Sequence, residues 1–264
     1  MASIRLVTLN TWKADGDYQS RLQAMAEDLA ALDPHILCLQ EVFAAASLGL
    51  DTAASLSARL GMNCQYLPAR RKSRQFGSGD VDSTSGLAIL SRLPVLWTQR
   101  LDLPDDPLDG ERIAQMAAFD LGSERLLLVN LHLTHLRQAE ALRRQQLERI
   151  FAAIDAGDGW SASVLAGDFN AGRRDGLFRR LPAAAGWVVE DARAAAREPQ
   201  RPTLLGVSRG GCVDHLLLYR KRDSALRVTG ARRVLDQPRP VPPSDHFGLM
   251  VDFSECRSGA CAAD

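Results

Sequence analysis

Apolar runs of strand length recur along the chain, and most of them stop on a polar residue. Ile4-Arg5-Leu6-Val7-Thr8-Leu9 delivers Asn10, and Ile36-Leu37-Cys38-Leu39 delivers Gln40 and Glu41. Leu126-Leu127-Leu128-Val129-Asn130-Leu131 ends at His132, and Ser163-Val164-Leu165-Ala166 leads through Gly167 to Asp168. Runs of this length, bounded by turn residues, read as buried strands. Between them the period changes. Leu22, Met25, Leu29 and Leu32 recur at helical spacing, with Ser20 and Gln23 as a capping box at the start and Asp33-Pro34 as the stop. Residues 51–60 read as a second helix closed by Gly61 in a left-handed cap. Residues 137–155 read as a third, with Leu147, Ile150, Phe151 and Ile154 on one face.

Further strands are expected at 86–90, 95–101, 213–219 and 226–235. Arg112 to Leu121 and Arg125 to Leu131 form a hairpin around Gly122-Ser123. Arg112 and Gln115 on that strand are candidates for substrate contact or for a solvated face. Arg70 to Asp80, basic and glycine-rich, reads as an exposed mobile loop that contacts solvent or rims a site for an anion. Asp102 to Glu111, with Pro104 and Pro107, reads as an acidic loop, and residues 173–210 yield no assignment. Pro238 to Pro243 make a turn before Ser244-Asp245-His246, and residues 255–264 read as a flexible tail. With no repeat or linker, the interleaved strands and helices predict a single α/β domain over residues 1–254.

The polar ends are the candidate chemistry. Asp168 and Asn170 are two residues apart, so an extended backbone would put both side chains on one face. Such a pair can bind a hard cation, orient a water or hold a phosphate oxygen; the same residues also suit an ordinary turn. Asn10, Glu41, His132, Asp168, Asn170, Asp214, Asp245 and His246 together exceed what turns require, because each arrives at the end of an apolar strand. His132 and His135, three apart on a strand, should face opposite sides and share no ion, and His135 and His215 read as packing residues. Ser244-Asp245-His246 is no hydrolase triad, since triads converge from distant segments. Trp12, Trp97, Trp160 and Trp187 read as core or rim.

Composition narrows the partners. The 264 residues carry a formal net charge of zero, so any nucleic-acid contact must come from a local basic patch. No run is long enough to span a bilayer or serve as a signal core, which predicts a cytoplasmic protein without membrane insertion. The five cysteines have no zinc spacing. Cys38 and Cys212 lie in apolar runs, and a Cys256–Cys261 bridge is disfavoured in a reducing cytosol.

In order, Thr8-Leu9-Asn10-Thr11-Trp12, Leu39-Gln40-Glu41-Val42, Ser85-Gly86-Leu87-Ala88-Ile89-Leu90-Ser91, Asn130-Leu131-His132, Gly167-Asp168-Phe169-Asn170, Val213-Asp214-His215 and Ser244-Asp245-His246 resemble the endonuclease/exonuclease/phosphatase superfamily, whose fold is that of deoxyribonuclease I. The resemblance implies a four-layer α/β sandwich, two mixed sheets packed face to face with helices outside. It implies a phosphodiesterase in which Glu41, with Asn10 and Asp245, holds Mg²⁺ or Mn²⁺, as an oxygen-rich donor set suits. Asp168 would orient or deprotonate the water, Asn170 would hold a phosphoryl oxygen or that water, His132 would donate to the transition state, and Asp214 would fix the ring of His246 as a base or phosphate ligand.

The branch is less determined. Glu41-Val42-Phe43 and Ser85 to Pro94 resemble the sphingomyelinase-like branch, and Ser244-Asp245-His246-Phe247-Gly248-Leu249 the tyrosyl-DNA phosphodiesterase branch. A nucleic-acid substrate is favoured over sphingomyelin or an inositol phosphate, with no protein partner implied. A silent binding module of the same fold is disfavoured because neither the metal acid nor a histidine is missing.

Overall fold

The computed structural model describes residues 3–255 except residues 78, 123, 182, 209 and 210. In chain order the elements begin β1 (Ile4–Asn10), α1 (Tyr18–Leu32), β2 (Ile36–Ala45), β3 (Leu50–Asp51), α2 (Thr52–Leu60), β4 (Asn63–Phe76) and β5 (Gly79–Ser91). They continue with β6 (Val95–Asp102), β7 (Ile113–Asp120), β8 (Arg125–His132), α3 (Glu140–Ala156) and β9 (Ala162–Asp168). The last are β10 (Trp187–Asp191), α4 (Ala192–Ala195), β11 (Asp214–Lys221), β12 (Leu226–Val234) and β13 (Gly248–Glu255).

These strands form two mixed sheets. One runs β12-β13-β1-β2-β5-β4, with β3 attached to β2; the other runs β10-β11-β9-β8-β7-β6. Strand alternation sends side chains to opposite faces, and three apolar clusters follow from it. Leu6, Ile36, Cys38 and Ile89 of the first sheet meet Leu128, Val164, Ala166 and Leu218 of the second. The intervening residues Val7, Leu37 and Leu39 pack on Leu22, Met25 and Leu29 of α1 and Leu56 of α2. On the far side, Val129, Leu165 and Tyr219 pack on Leu147, Ile150 and Phe151 of α3. The order is helices, sheet, sheet, helix, so the four layers implied by the resemblance are present. A buried polar tie crosses the middle: Gln40 Nε2 donates to Asn130 Oδ1 at 2.7 Å, and Asn130 Nδ2 donates to the carbonyls of Leu39 and Ala88.

Several local expectations are corrected. The Arg70–Asp80 segment is no loop; it pairs residue by residue across β4 and β5, from Arg70↔Ser85 to Phe76↔Gly79. A strand at the sheet edge with polar residues on both faces leaves no apolar alternation to read. Helix α1 is capped by Asp17, whose carboxylate accepts from the Ser20 amide, rather than by Ser20. Arg112 precedes β7, and Gln115 is buried, donating to the Gln65 carbonyl of the other sheet at 2.6 Å. The unassigned stretch supplies β10 and α4. Cys38, Cys64 and Cys212 are free thiols; of the expected tail 255–264, Glu255 ends β13, and the remainder, with Cys256 and Cys261, lies outside the described residues. Among the described residues, no helix is long and apolar enough to cross a membrane.

Candidate active site

Three neighbouring strands bring three of the predicted residues into one row. Parallel pairing of β8 with β9 sets His132 opposite Asp168, and antiparallel pairing of β9 with β11 sets Asp214 opposite the same residue. Partners in register share a face, so the row points to one side of the sheet. The close approach of β8 and β9 depends on Gly167, at φ +147°, because a Cβ there would lie 2.0 Å from the Leu131 carbonyl oxygen.

The segment after β13's predecessor turn completes the group. His246 Nδ1 lies 2.9 Å from Asp214 Oδ2, and its Nε2 is 3.8 Å from Asp168 Oδ2. His132 Nε2 approaches the same Asp168 oxygen at 3.6 Å. Asp168 also accepts from Asn10 Nδ2 at 3.2 Å and from the Asn170 amide at 2.8 Å. Asn170 therefore reaches the site differently from the extended geometry expected: its φ of +49° makes a side-chain-bonded turn on Asp168, and its Nδ2 donates to the Leu133 carbonyl.

The other sheet contributes Asn10 and Glu41. A bulge between Leu39 and Val42 interrupts the pairing of β2 with β5, and Glu41 sits in it with φ +53°. Bulges of this kind re-aim a side chain beside a site; Gln40 stays between the sheets while Glu41 turns to the cavity. The turn after Asn10 is held by Arg21, a buried side chain whose guanidinium donates to the carbonyls of Thr11, Trp12, Lys13, Asp15 and Pro243. Ser244 Oγ donates to the Asn10 carbonyl at 2.6 Å, tying Asp245 and His246 to the end of β1.

These groups border a cavity of about 450 Å³ that includes Asn10, Glu41, His132, Asp168, Asn170 and His246. Asp214 stands behind His246, and Asp245 is half-buried and does not border it. Bordering groups outside the predicted site set include Lys13, Asp109 and His135, and also Arg112, which the sequence offered as a candidate for substrate contact. Lys13 Nζ lies 2.8 Å from Glu41 Oε2. Asp109, buried in the acidic loop, pairs with Arg112 and lies 2.6 Å from His135 Nδ1. His132 and His135 both face the cavity, because β8 ends at His132 and the alternation ends with it. All four lie outside the helices and strands, so hydrophobic period carries no signal for them.

The electrostatics are uneven. Burial, then the Asp214 charge, pushes the Asp168 carboxyl up to about 7. Burial alone would lower His246, but Asp214 and then Asp168 override it and raise the ring to about 10, favouring an imidazolium. His132 goes the other way, well below its usual value, through burial and the charges of Arg112, His246 and Lys13. The site thus pairs a cationic and a neutral imidazole around one acid that is costly to ionise.

Two donor sets suit a cation. Asp168, Asp214 and His246 offer ligand atoms within 4.8 Å of one another, and Asp214 Oδ1 is buried without a hydrogen-bond partner. Glu41 and Asn10 offer oxygens directly to the cavity. Both sets are dominated by oxygen, and the chemistry fits a hard divalent ion.

Residues 7–246 match the Endonuclease/Exonuclease/phosphatase family, and the chain belongs to it. No curated protein matches the chain in sequence. Among solved structures, an endonuclease/exonuclease/phosphatase family protein from Leptotrichia buccalis superposes with a TM-score of 0.72 at 14% identity, covering 95% of this chain and 99% of that one. The human Nocturnin catalytic domain with bound sulfate gives 0.71 at 22%, covering 96% and 94%. D. rerio TDP2 complexed with a single-strand DNA product gives 0.72 at 16%, covering 96% and 100%.

Proposed function

We propose that the protein is a divalent-cation-dependent phosphodiesterase of nuclease type, cleaving by in-line attack of water. The observation that carries this reading is the register row His132–Asp168–Asp214, closed by His246 over a cavity that Glu41 also borders. Glu41 and Asn10, with Asp245 behind them, would hold the cation. We place it there because Glu41 and Asn10 both open onto the cavity, whereas Asp214 stands behind His246 and is engaged by its ring. A bound Mg²⁺ or Mn²⁺ supplies neutralisation of phosphate charge and stabilisation of the leaving oxygen.

The chain's own residues do the rest. Asp168, with a pKa near 7, accepts the proton of the attacking water as its oxygen bonds to phosphorus and the ester oxygen departs. His246, charged and oriented by Asp214, donates to a non-bridging oxygen. His132 and the remaining N–H of Asn170 donate where negative charge grows in the transition state. A nucleic-acid substrate is favoured by the cations Lys13, Arg70, Lys72, Arg74 and Arg112 around the cavity. The test is hydrolysis of bis(4-nitrophenyl) phosphate with Mg²⁺ or Mn²⁺. Chelator-sensitive turnover that disappears in Asp168→Ala is expected; turnover unaffected by chelator or by that variant rejects the reading.

A further inference from the structure

The hairpin that the sequence disguised as a loop carries an unexplained feature. Arg70, Lys72 and Arg74 alternate along β4, and all three border the active-site cavity, while Arg71 between them does not. Arg71 pairs with Asp82 of β5 on its exposed side. The cavity-facing three make no ion pair among the described residues. Arg70 donates to the Asp109 carbonyl, and Arg74 donates to Ser83 and Ser85 while its Nε is buried without a partner. Lys72 is held below its ordinary value by loss of water contact and by the charges of Arg74, Arg70 and Lys13. Three like charges in a row, offset only by the Asp15 and Glu41 charges and joined to no ion-pair partner, raise the energy of the fold, and an anion lying along them relieves that cost.

A second cavity, of about 370 Å³, lies against the first; Lys13, Lys72 and Arg74 border both. Phe43 and Phe76, stacked with centroids 6.0 Å apart, border the second cavity too. Cationic walls beside an aromatic face match a phosphate followed by a base. Alternate residues of a strand are roughly 7 Å apart, a step comparable to that between successive phosphates of an extended single strand.

We infer that Arg70, Lys72 and Arg74 form a subsite for the second phosphate of an extended single strand, whose scissile phosphate sits at Asp168. This rests on the phosphodiesterase reading and narrows it to substrates carrying a phosphate beyond the one cleaved. A compact cyclitol phosphate shares the phosphate chemistry but makes no use of the Phe76 face.

The test compares Lys72→Gln, Arg74→Gln and, as a control on the opposite face, Arg71→Gln, on two substrates. Bis(4-nitrophenyl) phosphate has one phosphate; a single-stranded oligothymidylate has many. For Lys72→Gln and Arg74→Gln, kcat/KM on oligothymidylate should fall about tenfold at low salt, chiefly through KM, with the salt slope reduced by about one. Turnover of the single-phosphate substrate should stay within about twofold, and the control should match wild type on both. Equal losses on both substrates, or no loss on oligothymidylate, overturn the subsite. Binding of labelled oligothymidylate to chelator-treated protein is measured in parallel. An unchanged Kd in both variants overturns the subsite even if no hydrolysis occurs, whereas absent hydrolysis with weakened variant binding rejects only the phosphodiesterase reading. Inositol hexakisphosphate serves as a competitor: if it, and not oligothymidylate, loses affinity in the variants, the extended-strand assignment is wrong.

Discussion

Strands β8, β9 and β11 carry a carboxylate at each end, half-buried at one and fully buried at the other, and the two ends are built to opposite purposes. At one end Glu124, just before β8, accepts from Ser161 Oγ at 2.6 Å, from Ser224 Oγ at 2.7 Å and from the Ala225 amide. Burial would raise its pKa, but these donors win and lower it. At the other end Asp168 also has donors, Asn10 and the Asn170 amide, yet burial and the Asp214 charge win and raise it to about 7. The difference lies in what stands nearby. Glu124 is surrounded by hydroxyls and an amide and so serves as a clamp between loops. Asp168 faces a second carboxylate and a cavity, and its electrostatic demand is left for a proton, a cation or a substrate to meet.

Backbone strain divides the same way. Trp12, Lys13, Glu41 and Asn170, all in or beside the site, are four of the eight described non-glycine residues with positive φ. Each such residue costs about 1–3 kcal/mol and persists only where the surroundings hold it. Arg21 holds the turn at Trp12 and Lys13, the bulge in β2 holds Glu41, and Asp168 with the Leu133 carbonyl holds Asn170.

The sharpest way to break the contrast is Asp168→Asn. Removing the charge should lower kcat on bis(4-nitrophenyl) phosphate by about 10³-fold, within the range for a lost general base. It should leave the thermal midpoint unchanged or higher, since a buried like-charge neighbour of Asp214 disappears. Calorimetry showing a clear fall in Tm would mean that Asp168 is a structural anchor like Glu124. Next in size is Asp214→Asn, which takes away the charge orienting His246 at 2.9 Å and should cost about 10²-fold in kcat with little change in KM. A variant as active as wild type would remove the Asp–His pair from the mechanism. Gly167→Ala is a milder disturbance of geometry. The added methyl must push β8 from β9 at the Leu131 carbonyl, at about 2 kcal/mol, and Tm should drop by about 4–8 °C. Unaltered stability would show that the strands separate there without cost.

The readable parts of this fold were those where hydrophobic period and chain direction agree. The runs ending at Asn10, His132 and Asp168 alternate cleanly between two apolar clusters, as Val164 and Leu165 do on opposite faces of β9. Their polar ends therefore stood out as residues that a core has no use for. What stayed hidden depends on pairing rather than composition. That His132, Asp168 and Asp214 share one row is a matter of register between strands far apart in sequence. The β4–β5 hairpin is specified by its partner strand, because Arg71-Lys72-Ser73-Arg74 offers no apolar face. Asp109 and His135 entered the cavity from segments without period, where only the folded chain decides which polar residue turns inward.

The smallest effect belongs to the clamp, and it checks the contrast from the other side. Glu124→Gln should leave activity unchanged, since the site lies at the opposite end of the strands. It should cost about 1 kcal/mol of stability at neutral pH after allowance for partial exposure. Because Glu124 has a depressed folded pKa, its stabilisation is full above the ordinary glutamate range and is lost as pH falls through the folded value. The Tm gap between wild type and Glu124→Gln should thus be widest near pH 7 and close as both are acidified. Asp168 has the opposite sign: any Tm advantage of Asp168→Asn over wild type should be widest above pH 7 and shrink as acid protonates the wild-type carboxyl. If the Glu124→Gln gap persists unchanged into acid, the carboxylate's charge contributes nothing, and its hydroxyl partners are held by shape alone.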